Sequence, residues 1–588
     1  MQRSLVERLE NKKALVLLLL IAVMSLVPRV ESYEYIPESL WAEDGTLLIT
    51  QAHQFGVRSL WMPSAGYLHL YHRIVALVAA AAPLSITPFI FLSGWICAFL
   101  LIVWVITSRG YLAGLDRTEQ ALLILAISLQ PNDGETFLNL GQSFYFLNIA
   151  FALYACLPAP KPIRLPYLII LSLLSLSGPA SELISLILLV RILIIRDFGE
   201  RKWEYITVWS LAVLQIFLTL ASYREYSPEP ERNPINWINA VVVFLCFGSQ
   251  SHLVKLAAVT FWSTTLIYLI YNLWSLKSSF RDALWFSPLL AMLTAGTFFL
   301  AGMVREGDDV VNMNPLDHEA RYYVLPYALC FFVAFSATRN KPSARMAITL
   351  SLGLICGGTF LTLDRAGRMG TTGMYDHENM QWSAFVKFQK LIPDLIIPIN
   401  PAWAIWPPLW TVQVAADRSN LQTKAVPIYL SITNAKSTDL ESVTAEDGLF
   451  VSSEKRSPMV EFSLENHCSG RQYLAVEVDA WRSKPGWVRL YWGGQRGFSE
   501  RRSLKRFYPD GDVTMQFAFQ RGFSDTALRL DLMEGVGRWL LQDWVRKWLR
   551  RYPDFLEENF GHPTLVPPPT EPGGQARIKQ LRLYCLDP

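Results

Sequence analysis

Three groups of acidic residues lie in polar segments between apolar runs of this chain. The first is the pair Glu43 and Asp44 in LWAEDGTL, and the second is Asp133 with Glu135 in PNDGE. The third group precedes Arg321 and comprises Asp308, Asp309, Asp317 and Glu319. Carboxylates are proton donors and acceptors in many active sites. Because carboxylates are costly near a bilayer, those at its edge usually face water, a partner or a substrate path.

The adjacent carboxylates Glu43 and Asp44 cannot easily share one task. Neighbouring residues of a helix point about 100° apart, so we expect one to face a cavity and the other to support it. An alternative stands for Asp44: it precedes GTLLITQAHQF, where an aspartate would cap the helix by accepting backbone N–H bonds.

The composition indicates a membrane protein. Of 588 residues, 52% are apolar and only 18% are charged, which is more apolar than an ordinary soluble domain. The net charge of +3 is small and no basic tract interleaves with aromatics, so we expect no nucleic-acid partner. The seven cysteines lack CxxC or Cys/His metal spacing, which leaves no zinc or redox motif.

Apolar runs predict a polytopic α-helical membrane protein with about eleven spans. The first run, ALVLLLLIAVMSLV, follows a basic tail and lacks a convincing cleavage site, so we interpret it as a retained signal anchor. The other runs lie near residues 88–107, 118–131, 141–157, 165–178, 180–195, 204–222, 254–275, 284–303, 321–338 and 346–363. Basic residues concentrate in alternate connections, which predicts a cytoplasmic N-terminus and an external chain after about residue 363.

The segment GYLHLYHRIVALVAAAAPLS, residues 66–85, does not fit this count. As a span it would move most basic loops to the wrong side, so we predict an amphipathic helix along the outer interface. His69, His72 and Arg73 would lie on its polar face. The first external loop then covers about 30–87, with two interfacial helices near 45–55 and 67–83.

From about residue 411 the pattern changes to short alternating segments such as QYLAVEVDAW and VTMQFAFQ, separated by Gly, Pro and Ser turns. This pattern predicts an extracytoplasmic all-β sandwich, jelly-roll-like, over 411–588, after a membrane domain over 1–363 and a linker over 364–410. Two interpretations stand for Cys468 and Cys585: a disulfide, which an oxidising compartment permits, or two unpaired thiols. The insertion GRWLLQDWVRKWLRRYPDF, 537–555, predicts a basic amphipathic helix that lies on a headgroup surface or on its own sandwich.

Several motifs in order resemble bacterial glycosyltransferases of the GT-C superfold. They are WAEDG and AGYLHLYHR in the first external loop, LQPNDGETFLNL in the second, EARYYVLP at a later span and IPINPAW after the last span. The segments VRLYWGGQRGFSERRSL and LRLDL are more weakly similar to a carbohydrate-binding-module-like sandwich. The resemblance covers nearly the whole membrane region.

This resemblance implies transfer of a sugar from a polyprenyl-phosphate donor to a lipid-linked or cell-surface glycan. It implies a bacterial inner membrane, extracytoplasmic chemistry and inversion at the anomeric carbon. Asp44 would be the general base, with Glu43 as second choice, and Glu135 would raise the pKa of the base or orient the acceptor. Arg321 would stabilise the leaving phosphate.

Other residues are candidates with plainer alternatives. His69 and Arg73 suit donor phosphate or acceptor, although an interfacial arginine often only reaches water. His318 would assist Arg321 unless it is simply solvated. Glu182, within an apolar hairpin, is a further candidate. The candidates for binding sugar hydroxyls are amides that can equally cap helix ends, namely Asn132, Asn139 and Gln142.

We expect no metal and no other cofactor, because the scattered acidic loops are not a ligand motif. Two other functions fit the sequence. A glycan polymerase or ligase of the O-antigen type would use external arginines more than an early carboxylate. A transporter of lipid-linked glycans would need polar residues in broken helices near mid-membrane, whereas most charges here lie at loop level.

Overall fold

The structure is a computed structural model of the chain. It describes residues 15–30, 40–64, 66–158, 165–221, 233–275, 283–316, 319–339, 341–365, 381–389, 397–399, 411–412, 428–429, 436–438, 441–445, 448–453, 459–464, 473–494, 502–520, 525–534 and 574–586, with single residues between them. The chain forms two compact units. The first contains Met1–Tyr33, Val57–Val78 and Ile90–Met374, and the second contains Glu34–Gly56, Ala79–Phe89 and Tyr375–Pro588.

Helices account for most of the chain before residue 390. In chain order the α-helices are residues 15–24 (α1), Thr50–Phe55 (α2), Leu70–Ala80 (α3), Thr87–Arg109 (α4), Arg117–Ser128 (α5), Ser143–Cys156 (α6), Leu165–Ser175 (α7), Ala180–Ile195 (α8), Phe198–Ala221 (α9), Pro234–Leu245 (α10), His252–Ser275 (α11), Ala283–Glu306 (α12), Arg321–Ala337 (α13), Pro342–Arg365 (α14) and Trp382–Gln389 (α15).

Five described helices are long and apolar enough to cross a membrane. They are Leu84–Arg109, Phe198–Ala221, His252–Trp274, Phe286–Glu306 and Pro342–Arg365. Shorter apolar helices accompany them: Leu15–Arg29, Leu70–Ala80, Ser143–Cys156, Leu165–Ser175, Pro234–Leu245 and Arg321–Ala337. The chain is therefore a membrane protein. The total of about eleven spans and their orientation stay predictions.

Local sequence explains where several helices begin. Asp116 and Glu119 form a capping box at the start of α5, in which each side chain accepts a hydrogen bond from the other residue's backbone N–H. The start of α10 combines an Asn233 cap with a proline at the first helical position.

The helix α6 lies in the core of the first unit, and its side chains are buried along almost its whole length. Its last carbonyls accept hydrogen bonds from buried arginines. Arg191 Nη1 donates to the carbonyls of Ala155 and Cys156 at 3.1 and 2.8 Å, and Arg109 Nη1 donates to that of Tyr154 at 3.2 Å. These arginines satisfy carbonyls that a helix C-terminus leaves without an intrahelical partner.

Two of the three residues of the predicted polar face of the 66–85 helix are buried, which corrects the sequence interpretation. The helix α3 is only eleven residues long, and His72 and Arg73 are buried. His72 Nε2 lies 3.0 Å from the Ser143 hydroxyl, and Arg73 Nη2 donates to the Met62 carbonyl at 3.2 Å. Neighbouring segments therefore take the place of water on this face.

In the second unit the first acidic pair begins a helix. Asp44–Ile49 is a π-helix that runs directly into α2. Glu43, not Asp44, occupies the N-cap position, and Glu43 makes no side-chain capping bond. The interpretation of Asp44 as the N-cap residue is therefore wrong. A Cβ atom added at Gly45 would collide with Ile399, so this helix approaches the chain after the last span very closely.

The second unit also contains the predicted β region. The strands are Ile397–Pro398 (β1), Thr411–Val412 (β2), Ile428–Tyr429 (β3), Lys436–Thr438 (β4), Glu441–Ala445 (β5), Gly448–Ser453 (β6), Met459–Ser463 (β7), Tyr473–Arg482 (β8), Gly486–Gly494 (β9), Ser503–Tyr508 (β10), Gly511–Gln520 (β11), Asp525–Glu534 (β12) and Gly574–Leu586 (β13). The first two form an antiparallel pair of their own. Two larger antiparallel sheets have the orders β10-β9-β12-β7-β4 and β11-β8-β13-β6-β5, with β3 beside β13.

The two larger sheets pack face to face. The rings of Trp492 on β9 and Phe519 on β11 stack with centroids 4.4 Å apart. Arg482 on β8 donates from the core to the Tyr508 and Leu532 carbonyls of the opposite sheet at 2.9 and 2.8 Å. This is a β-sandwich. The predicted helix at 537–555 lies outside the described residues.

Cys468 and Cys585 form a disulfide, with their Cα atoms 5.6 Å apart. The disulfide joins the strand β13 to the segment before β8, and the two cysteines are 117 positions apart in sequence.

The domain boundaries that the sequence pattern places at residues 363 and 411 stay predictions.

Candidate functional site

Two polar loops of the first unit are joined by hydrogen bonds. The loop between α5 and α6 carries the PNDGE motif. The segment before α13 carries Glu319, and α13 begins at Arg321. The backbone N–H of Asp133 donates to the Pro315 carbonyl at 2.8 Å, and Asn132 Nδ2 donates to the Ala320 carbonyl at 2.6 Å. These bonds bring together two motifs that are far apart in sequence.

The joined loops place a cation between two carboxylates. Arg321 Nη2 lies 2.5 Å from Glu319 Oε2, and Arg321 Nη1 lies 4.0 Å from Glu135 Oε1. The Arg321 side chain is 23% exposed, Glu135 19% and Glu319 7%. The first distance is a close ion-pair contact, while the second is too long for a hydrogen bond. Glu319 therefore orients the guanidinium through Nη2. The Nη1 edge of the guanidinium, which faces Glu135, is less tightly held.

Backbone geometry contributes to this arrangement. Glu319 has a φ of +58°, in the left-handed region that non-glycine residues rarely adopt. Asp133 accepts a bond from the Glu135 N–H at 3.1 Å and so starts the short 3-10 turn Gly134–Thr136. The turn is buried apart from Glu135, whose side chain emerges from it.

The sequence interpretation missed two further residues beside Arg321. The Tyr322 hydroxyl donates to Glu306 Oε1 at 2.7 Å, which links the start of α13 to the end of α12. Gly302 permits this contact, because a Cβ atom there would lie 2.9 Å from Tyr322 Cδ1. Glu306 is buried, and it lies two residues before Asp308, the first residue of the third acidic group. A search for acidic residues at helix ends would have found it.

The three predicted sugar-binding amides lie at this loop, and local hydrogen bonds occupy several of their groups. Asn139 Nδ2 donates to the Glu135 carbonyl at 2.5 Å, and Asn139 Oδ1 accepts from the Gln142 N–H at 2.8 Å. Asn132 donates to Ala320, as above. Gln142 occupies the N-cap of α6 without a side-chain capping bond. These contacts hold the loop in place, and sugar binding stays a prediction.

The histidines of α3 belong to an aromatic cluster at the start of α6. The His69 and His72 ring centroids lie 5.3 Å apart, and both rings contact Phe144, at 5.9 and 6.2 Å. His72 is buried and faces Ser143, whereas His69 is half-buried. Burial, and then the charges of His69 and Arg73, hold the pKa of His72 well below its ordinary value.

The remaining candidates lie elsewhere. Asp44 is only 2% exposed and Glu43 is half-buried, and both belong to the second unit. Glu182 accepts a hydrogen bond from Thr219 Oγ1 at 3.2 Å. Asp317 and His318 lie outside the described residues.

The arrangement of Arg321 between Glu319 and Glu135 can bind an anionic group. An arginine presents a rigid fork that matches a phosphate or carboxylate, and a flanking acid can orient it without blocking every donor. Among the described residues, no group of three or more His, Cys, Asp and Glu side chains could hold a metal ion.

Comparison with known proteins gave distant structural likenesses. No protein family and no curated protein sequence matches the chain. The arabinosyltransferase EmbB from Mycobacterium smegmatis aligns at 10% identity and a TM-score of 0.26, over 97% of this chain and 64% of that one. A xylan-binding module, CBM15, aligns at 10% identity and 0.18, over 28% of this chain and 98% of that one. A family 29 carbohydrate-binding module from Piromyces equi aligns at 7% identity and 0.16, over 27% and 85%.

Proposed function

We propose that this protein is a membrane glycosyltransferase that takes a sugar from a polyprenyl-phosphate donor outside the cytoplasm. The observation that carries the proposal is the partly exposed Arg321 guanidinium, oriented by Glu319 at the start of an apolar helix. A phosphate attached to a membrane-embedded lipid is an anion that a cation in this position suits. The sequence motifs and their order resemble those of GT-C enzymes, and this resemblance also supports the proposal.

The proposed reaction is a direct displacement. An acceptor hydroxyl oxygen attacks the anomeric carbon, the bond from that carbon to the phosphate oxygen breaks, and the phosphate leaves with the bonding electrons. The hydroxyl proton passes to a carboxylate, for which Asp44 is our candidate, with Glu43 as the second choice. The anomeric centre is inverted in this single step.

Arg321 stabilises the charge that grows on the leaving phosphate. Its Nη1 atom lies 4.0 Å from Glu135, so a phosphate oxygen can take the place of this loose contact while Glu319 keeps its own. His318, Arg73 and His69 are further candidates for the donor phosphate or the acceptor. The acceptor is a lipid-linked or cell-surface glycan, and the β-sandwich is a candidate carbohydrate-binding domain.

We further propose a bacterial inner membrane, with the N-terminus in the cytoplasm and the sandwich in the periplasm. Aromatic and basic residues at predicted cytoplasmic helix ends support this. Lys202 Nζ lies 5.4 Å from the Trp203 ring, and Lys341 Nζ lies 5.3 Å from the Tyr271 ring. Tryptophan and tyrosine favour membrane interfaces, and lysine favours the cytoplasmic one.

The experiment is reconstitution of the full chain in liposomes with a panel of polyprenyl-phosphate sugars and a glycan acceptor. We expect Asp44→Asn to lower kcat by about 10²–10⁴-fold, the range for general base catalysis. Glu43→Gln is the matched variant, isosteric and adjacent, and should lose much less. A folded Asp44→Asn protein with a normal rate would refute Asp44 as the base. Absence of transfer from every donor would refute the enzyme class.

A further inference from the structure

Arg29 is a buried cation at the end of the first apolar helix. Its side chain has no measurable exposure. No ion pair joins it to any carboxylate within the described part of the chain. A buried charge is costly unless other groups compensate for it.

Backbone carbonyls and aromatic rings provide the compensation. Arg29 Nη1 donates to the Asn132 carbonyl at 2.7 Å, and Nη2 donates to the Gln130 carbonyl at 2.5 Å. The guanidinium carbon lies 3.9 Å from the ring centroid of Phe137 and 4.6 Å from that of Phe360. Both distances suit cation–π attraction.

The contacted carbonyls and one of these rings belong to the loop that carries Glu135. A planar guanidinium offers its N–H groups in a fixed fork, so the two carbonyls must lie where the fork points. Residues 130, 132 and 137 are thereby held on both sides of Asp133 and Glu135. Arg29 thus fixes the path of the loop backbone over several residues, and its effect is not limited to one atom.

The same loop also holds the segment before Arg321. Asn132 accepts from Arg29 with its carbonyl and donates with its side chain to the Ala320 carbonyl at 2.6 Å. Ala320 directly precedes Arg321. The Arg29 guanidinium is therefore linked to Glu135 through the loop backbone. It is linked to Arg321 through the side-chain amide of Asn132.

We propose that Arg29 is a positioning residue that sets the relation between Glu135 and Arg321. It does this by clamping the loop at 130–137, and Asn132 transmits the position to Arg321. Its kinetic consequence rests on the proposed function, in which Arg321 holds the donor phosphate. Arg29 itself touches neither reacting group.

Hydrogen exchange of the purified full-length protein tests the clamp without any assay of activity. Arg29→Gln should accelerate amide exchange at least about tenfold in peptides from 128–140 and from 313–322, because both carbonyls lose their donors. Arg29→Lys keeps the charge but not the fork and should give an intermediate rate. Asn132→Ala should accelerate amide exchange in the peptide from 313–322 more than in the peptide from 128–140. This substitution removes the hydrogen bond to the Ala320 carbonyl but leaves the contacts of Arg29 with the loop.

Arg191 supplies the matched control. It is a buried arginine that also donates to two backbone carbonyls, at the opposite end of α6. Arg191→Gln should leave exchange in both peptides at the wild-type rate. Equal acceleration by Arg191→Gln would overturn the proposal, because the effect would then be general loosening. If Arg29→Gln does not fold, Arg29→Lys and Asn132→Ala carry the same test.

Kinetics then separate positioning from stability. With a donor that the wild type uses, Arg29→Lys should raise the donor KM about tenfold, while Arg191→Lys should change only the yield of folded protein. Unchanged exchange near 313–322, or an unchanged KM despite faster exchange, would overturn the positioning role. If the wild type uses no donor, the proposed function fails and the exchange result still decides the clamp.

Discussion

The guanidinium of Arg321 and the carboxylate of Glu135 approach to 4.0 Å although they are 186 positions apart in sequence. Neither side chain is fully buried; Arg321 is the first residue of α13, and Glu135 lies in the short turn between α5 and α6. A pair at this separation is attracted without being locked, so a ligand can replace one partner at small cost. Glu319 keeps the arginine in place when that happens.

Arg321→Gln should lower kcat/KM for a polyprenyl-phosphate sugar by about 10–100-fold, which corresponds to about 1.5–3 kcal/mol for a charged hydrogen bond. Arg321→Lys should recover only part of this, because an ammonium lacks the fork. Steady-state kinetics in liposomes measure both. The control is Arg345→Gln: Arg345 also lies between two acids, Asp116 and Glu119, at 2.7 and 3.1 Å. Equal losses in the two variants would count against a phosphate role for Arg321.

Gly302→Ala should displace Tyr322. The new methyl group would lie 2.9 Å from Tyr322 Cδ1, which is too close to be tolerated without movement. We expect about 1–3 kcal/mol of destabilisation from overpacking and a loss of activity through the Tyr322–Glu306 bond. Gly296→Ala is the control on the same helix, since a Cβ there meets nothing within 4 Å. In the control, kcat should be unchanged. The midpoint of thermal unfolding should be unchanged or slightly higher, because alanine has a higher helix propensity than glycine.

The depressed pKa of His72 should make stability fall at acid pH. Burial lowers this pKa well below the ordinary value of 6.5, and the charges of His69 and Arg73 add to the effect. Above pH 6.5 the ring is neutral in both folded and unfolded chains, so its contribution is fully present. Below pH 6.5 only the unfolded chain binds the proton, which lowers the free energy of unfolding by up to about 1.4 kcal/mol per pH unit.

The measurement is the midpoint of thermal unfolding between about pH 8 and pH 5.5. His72→Gln should flatten this dependence, because the amide can still bond Ser143 but does not titrate. His252, exposed at the start of α11, is the control position. His252→Gln should keep the wild-type dependence. A wild-type-like slope in His72→Gln would exclude His72 as its source.

Arg482→Met should destabilise the sandwich by at least about 3 kcal/mol, because several buried carbonyls lose their donor at once. Arg482 is fully buried, and burial lowers its pKa only to about 10, so it is charged at neutral pH. Denaturation followed by tryptophan fluorescence measures the loss. Lys579→Met removes an exposed pair with Asp512 and should cost less than about 1 kcal/mol. A small effect of Arg482→Met would mean that water replaces the lost donor.

Sequence periodicity was sufficient to locate most of the helices and the β-sandwich, but it did not predict α10 or α15. The apolar runs coincide with helices because a long apolar segment has few other ways to satisfy its backbone. The alternating segments after residue 411 became strands for a related reason. Alternate residues of strands such as β7 are buried, while the central strand β8 is buried on both faces over residues 474–478.

The candidate site was less accessible from sequence. The acidic clusters were visible, but the contact of Glu135 with Arg321 depends on the bond between Asn132 and Ala320, a long-range pairing without a local pattern. Similarly, His72 and Arg73 have the spacing of a solvated face, and only the tertiary packing of Ser143 and Met62 makes them buried. Burial of polar groups depends on what packs against them, and a single helix does not encode that.

The close approach of Gly45 to Ile399 and Val412 has a practical consequence for anyone who truncates this protein. Residues 34–56 fold with the chain that follows the last span, so the C-terminal unit is assembled from separate stretches of sequence. A gene fragment that starts at residue 375 or 411 would lack the helix that covers Val412. Expression of this unit alone would therefore require residues 34–56 and 79–89 to be joined to it.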